Sequence, residues 1–215
     1  MPGAEAGGLL DASWDRLAGR APRARAVGRE LLRRWSEPHR RYHTPAHLRA
    51  TLRAVDVLED EASSPDLVRY AAWFHDAVHT GAAGLDEDRS AGLARDLLPG
   101  AGMGPDRAEE VARLVLVTKT HDPDPADADG RVLSDADLSV LAGTPDEYRA
   151  YAAAVRAEYR SVPDEAFRAG RSRVLRDLLE APRIFRTGFG GLHWEAAARA
   201  NILAELDRSA AGSGF

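Results

Sequence analysis

Histidine and aspartate, the side chains that ligate divalent ions and move protons near neutral pH, gather in a few short stretches of this 215-residue chain. His75-Asp76 stands in the run Tyr70 to His79, where nearly every other residue is apolar. A helix built from such a run buries its polar members, and a buried polar group without a partner costs on the order of 2–7 kcal/mol. A hydrogen bond within the pair would relieve that cost, and so would a metal ion. Asp137 favours the ion. In a helix over Val132 to Leu141, the residues Leu133, Val140 and Leu141 lie at i−4, i+3 and i+4 from it and put it on the core-facing stripe. Asp135 points away from that stripe, toward solvent or a supporting position. His47 falls in the first turn of its helix, just before the stripe residue Leu48. Two imidazoles and two carboxylates make a mixed N/O set suited to Mn, Fe, Zn, Co or Ni, with Mg admissible and Ca less apt. Four protein ligands on an octahedral ion leave positions for water and substrate.

The elements that must position these groups read as helices almost throughout. Trp14 and Leu17, then Val27, Leu31, Leu32 and Trp35, recur at three-to-four spacing before Pro38. Thr44-Pro45 and Ser64-Pro65 each read as an N-cap followed by a first helical residue. The first opens a helix with the stripe Leu48, Leu52, Val55; the second opens Leu67 to Val78, apolar on most faces and so central. Asp86 to Leu98, a helix from Pro105, the T-x-x-E capping box at Thr144 to Glu147, and segments 163–180 and 193–208 complete the set. No stretch alternates in the β manner, so the fold class is all-α, a single helical domain over 1–215, with ends 1–8 and 209–215 expected to fray.

Composition narrows the partners. A net charge of −5 argues against a nucleic-acid-coating surface, since phosphate binding needs clustered cations. Cysteine is absent, which removes thiolate nucleophiles and zinc–thiolate sites. No apolar run approaches a membrane span and Met1 to Leu10 lacks a basic leader, so a cytoplasmic protein without membrane contact is expected. Every basic residue except Lys119 is arginine. A coding bias toward arginine accounts for most of this, and a lysine that survives it is expected where a compact ammonium matters. The acidic stretch Asp122 to Gly130 fails as a calcium loop, because Pro125 and Ala136 would occupy its first and twelfth positions.

The ordered series His47, His75-Asp76, Asp137 resembles the H…HD…D signature of the HD superfamily of metal-dependent phosphohydrolases. Over residues 40–206 it is similar to an uncharacterised bacterial group of HD phosphohydrolases, on the segments YHTPAHL, AAWFHDAV, DEDRSA, TKTH, LSDADLSVL, VRAEY and AGRSRVL. The resemblance implies an HD-domain helical bundle whose metal ligands are His47, His75, Asp76 and Asp137. Tyr42-His43-x-x-x-His47 is also similar to the start of the cyclic-nucleotide phosphodiesterase site, which implies His43 as a general acid. The third residue past the HD aspartate often carries an acid/base group in these hydrolases; here it is His79, where the bacterial group has tyrosine. His75 and His79, four apart, would share one helical face.

The expected function is hydrolysis of a small phosphate ester, a nucleotide foremost, through attack of metal-activated water. His79 or His43 would move the proton, with Glu87 a further catalytic candidate from the DEDRSA stretch. Lys119, His121 and Arg171 would meet phosphate charge, with Arg156 a weaker candidate, in a monomer or homodimer. Two alternatives stand beside it. An HD-fold di-iron oxygenase would use His79 and His121 as extra ligands, although the first extra ligand is expected one helix later. A non-catalytic nucleotide sensor would retain the fold without turnover.

Overall fold

The computed structural model describes residues 2–82 and 84–211, with side chains from Gly8 onward. Among these residues there are eleven α-helices and no strand. They are α1 (Pro2–Ala18), α2 (Pro22–Trp35), α3 (Pro45–Leu58), α4 (Pro65–Phe74), α5 (Leu85–Leu97), α6 (Pro105–Val117), α7 (Ala128–Leu138), α8 (Pro145–Glu158), α9 (Asp164–Glu180), α10 (Gly188–His193) and α11 (Glu195–Ala210). Proline opens α2, α3, α4, α6 and α8, where its fixed φ suits the first turn and its missing N–H leaves nothing unpaired. Thr144 caps α8 through the Glu147 N–H, and the Glu147 carboxylate reaches back to the Thr144 N–H, as the capping box requires.

Three elements differ from the sequence reading. The central helix stops at Phe74 rather than Val78, because the polar backbone groups beyond it are bonded elsewhere. Arg40 donates to the carbonyls of Asp76 and Ala77, and Val78 N–H donates to Ser90 Oγ. The helix bearing Asp137 starts at Ala128 and gives way at Ser139 to a 3-10 turn reaching Ala142. The ends expected to fray are helical: α1 begins at Pro2 and α11 runs to Ala210, each continuous with core-anchored residues such as Leu10, Trp14 and Ile202. The part of that expectation concerning Met1 and 212–215 lies outside the described residues.

Apolar packing forms two clusters. The larger takes its side chains from α1 to α7, with Trp14, Trp35, Trp73, Phe74, Leu48 and Leu114 fully buried. The smaller joins the 3-10 turn after α7 to α8, α9 and α11 through Leu141, Tyr148, Leu175, Phe185 and Ile202. Trp194 packs against both. The smaller cluster also holds a buried polar knot, in which Glu205 accepts from Arg171 Nε at 2.9 Å and from Tyr148 Oη at 2.6 Å. The candidate site lies on the seam between the two.

A candidate metal centre and its proton carriers

His75 is the residue that ends α4. Its Nδ1–H donates to Ala72 O at 2.8 Å, which fixes the tautomer and leaves Nε2 bare. The ring lies against Trp35, whose Nε1–H donates to Trp73 O at 3.0 Å. His47, on the first turns of α3, presents Nε2 at 3.3 Å from that of His75. Asp137 Oδ1 is 3.0 Å from His47 Nε2 and 3.4 Å from His75 Nε2. Asp76 Oδ2 is 3.1 Å from His75 Nε2 and 3.7 Å from His47 Nε2. Donors about 2.1 Å from a common ion and at right angles to one another stand about 3 Å apart, so these spacings fit one metal centre. His47, His75 and Asp137 bring ligand atoms within 4.8 Å of one another and could hold a metal ion, and Asp76 does the same with His43 and His79 beside them.

Electrostatics agrees with the donor chemistry. Burial pulls His47 below its ordinary pKa, toward the neutral form that ligates. Burial works against charge on His75 as well, yet Asp76 and Asp137 more than reverse it and raise His75 well above its usual value. Two carboxylates thus favour positive charge at the point where the two Nε2 atoms meet.

Beside this cluster stands a second one that the sequence reading only half anticipated. Glu158, the last residue of α8, has a side chain just 4% exposed. Its Oε2 accepts from the N–H groups of Arg41, Tyr42 and His43, at 2.7, 3.0 and 3.2 Å. Its Oε1 accepts from His43 Nδ1 at 2.5 Å, and His79 Nε2 lies 2.9 Å from the same oxygen. Burial alone would raise the Glu158 pKa, but the bonds from His43 and His79 and the backbone donors hold it far below the usual carboxylate range. The ionised carboxylate fixes His43 as the Nδ1–H tautomer and leaves Nε2 free, 3.8 Å from Asp76 Oδ2. His43 and His79 stack with ring centroids 4.1 Å apart. The last bond of this arrangement comes from His39, whose Nε2 donates to His79 O at 2.7 Å.

The expected sharing of one helical face by His75 and His79 is corrected: the chain leaves the helix at Phe74, and His79 turns to Glu158 while His75 faces His47. Of the two places open to Asp135, solvent or a supporting position, the structure gives the second. Asp135 is fully buried and accepts from the N–H groups of Arg186 and Thr187 and from Thr187 Oγ1, because the segment before α10 covers that side of α7. Glu87 accepts from Gly84 N–H at 2.6 Å, the helix-start duty open to any acid there. Arg171 gives Nε and Nη2 to Glu205 and Nη1 to the Tyr151 hydroxyl, so its fork is taken by protein partners. Arg156 likewise holds Asp164 and the carbonyls of Tyr159 and Val162. Lys119 pairs with Asp88 at 2.8 Å on the exposed side. His121 takes a left-handed backbone, φ 51°, and brings Nε2 to 3.6 Å from Asp137 Oδ2.

Glu158 and Arg40 are what the sequence reading missed. Arg40, its side chain wholly buried, bonds the carbonyls of His43, Asp76 and Ala77 and so ties the loop bearing His43 to the turn after α4. Glu158 lies in VRAEY, where a glutamate at a helix end carries no signal of its own in the sequence. Compared with known proteins, the chain matches no family model, no curated protein and no solved structure. Among the described residues, no helix is long and apolar enough to cross a membrane.

Proposed function

We propose that this chain is a metal-dependent phosphohydrolase acting on a small phosphate ester, with nucleotides the first class to examine. The observation that carries the reading is a set of four converging donors, from His47, His75, Asp76 and Asp137, beside an imidazole whose tautomer is already fixed. The N/O set suits Mn, Fe, Zn, Co or Ni, and Mg less well. A bound divalent ion of this kind supplies Lewis acidity, lowering the pKa of water toward neutrality and offsetting phosphoryl charge. His43 offers its free Nε2 to give or take the proton of the nucleophile or leaving group, while Glu158 holds its Nδ1–H and stabilises the charged ring. His79 shares that carboxylate and supports the ring of His43 by stacking. His121, on the Asp137 side, is placed to meet phosphoryl oxygen.

Release of inorganic phosphate from a nucleotide panel with manganese tests the reading. Activity is expected in the intact chain and at least a hundred-fold less in Asp76→Ala, with the helical circular dichroism retained. No turnover across the panel with any of these metals would overturn it. A second reading, an iron-dependent oxygenase, is favoured by one observation: His43, Asp76 and His79 also bring donor atoms within 4.8 Å of one another. Elemental analysis of the purified protein separates the two, since one metal per chain supports hydrolysis and two irons support oxidation.

A further inference from the structure

Beyond His121 the surface opens into a cavity of about 630 Å³ between the end of α6, the 3-10 turn after α7, α9 and the segment leading to α10. Lys119, Arg183 and Arg186 line it, opposed by Asp122 and Asp177. Arg171 also reaches it, but Glu205 already neutralises that charge. Arg186 is the informative residue. Among the described residues, it pairs through Nη2 with Asp122 at 2.9 Å, a carboxylate 71% exposed, and its buried Nε has no hydrogen-bond partner. A guanidinium that lines the cavity and meets only an exposed carboxylate there is open to a further anion. Arg183 is exposed and makes no ion pair among the described residues. The backbone beneath Arg186 is fixed, because its N–H donates to both oxygens of Asp135 at 2.8 and 2.9 Å. Asp135 sits two residues before Asp137, so one helix, α7, sets both the candidate metal centre and the arginine.

We infer that this cavity is a subsite for a second anionic group of the substrate, held by Arg186 and Arg183, so that the preferred substrate is an ester bearing a further phosphate or equivalent dianion. His121 lines the cavity and stands 3.6 Å from Asp137, which places the subsite next to the centre where the scissile group would lie. The forked guanidinium of Arg186 suits two oxygens of one phosphate. Asp122 would leave Arg186 as the anion arrives, at little cost for a carboxylate so exposed. The inference deepens the phosphohydrolase reading and rests on it for the word substrate, though the anion site itself does not.

Isothermal titration of the full-length chain with inorganic pyrophosphate tests it, with inorganic phosphate as the reference anion. Pyrophosphate should bind at least ten-fold more tightly than phosphate. Arg186→Gln should weaken pyrophosphate by ten-fold or more, and the double variant Arg183→Gln, Arg186→Gln by more again. Arg186→Lys keeps charge without the fork and should recover part of the loss, which separates recognition from misfolding. Pyrophosphate affinity unchanged in the double variant but lost in Asp137→Asn would put the anion on the metal centre alone and overturn the inference. Equal affinity for the two anions would overturn it as well. Binding is read without turnover. An absence of phosphate release from every ester, by contrast, would count against the hydrolase reading and not against this site.

Discussion

At the scale of single residues, Glu158 decides the most. Five N–H groups point at one carboxylate, two of them from imidazoles, so its charge is worth more here than on a surface. Glu158→Gln keeps the size and removes the charge, and its amide must turn a donor toward some of those N–H groups. Activity is expected to fall by about 10²–10⁴, the range of lost acid–base assistance, in kcat rather than KM. The same variant with unchanged kcat would show that His43 does not carry the proton. None of this was legible in the sequence, because the partners lie 115 residues apart and a glutamate at a helix end is unremarkable by itself. That His47, His75-Asp76 and Asp137 gather in one place was legible, since each is marked by an apolar neighbourhood. Asp86 offers a pH test at this scale. Burial raises its pKa, but bonds from Thr80 and Ala82 outweigh that and lower it from 3.8. A carboxylate depressed on folding contributes stability that is complete above its unfolded value and fades as pH falls through the folded one. Asp86→Asn should therefore lose about 1–3 kcal/mol by urea denaturation at pH 7, with the gap to the parent closing at pH values below 4.

At the scale of elements, the chain announces helix starts more clearly than helix ends. Proline marked α3, α4, α6 and α8 because its demands are local and steric. The end of α4 at Phe74 depends on Arg40 and Ser90, groups far away in sequence that take the backbone bonds of the turn after it. The short helix α10 was not foreseen, since Thr187 to His193 is rich in glycine; it forms because Thr187 caps it and Glu61 accepts its first free N–H groups. Close packing of α1 on α2 turns on Gly28, where an added Cβ would run into the indole of Trp14. Gly28→Ala should cost about 1–3 kcal/mol by overpacking, despite alanine's better helix propensity, and thermal denaturation would measure it. A gain in melting temperature would show that Trp14 can move aside.

At the scale of the whole molecule, two cores meet at the site. The smaller depends on a buried ionic knot, since Arg171 and Glu205 are only 12% and 3% exposed in their side chains. Removing one member of such a pair strands the other, and Arg171→Ala should cost about 3–5 kcal/mol in chemical denaturation. The expectation that Arg171 contacts substrate leads elsewhere: a change in KM with stability kept. Stability loss with an unaltered KM among the molecules still folded would support the structural role.

The bond from α8 to the loop bearing His43 has one more consequence. The four candidate donors all come from the larger core, whereas the carboxylate that holds His43 comes from the last residue of a helix in the smaller one. An arrangement in which the smaller core has swung away would keep the four candidate donors together but would have an imidazole with no fixed tautomer. On the proposed hydrolase reading, metal content is therefore a poor gauge of competence. The better gauge is the His43 Nδ1 proton, which a nuclear magnetic resonance spectrum would find far downfield only while α8 is docked.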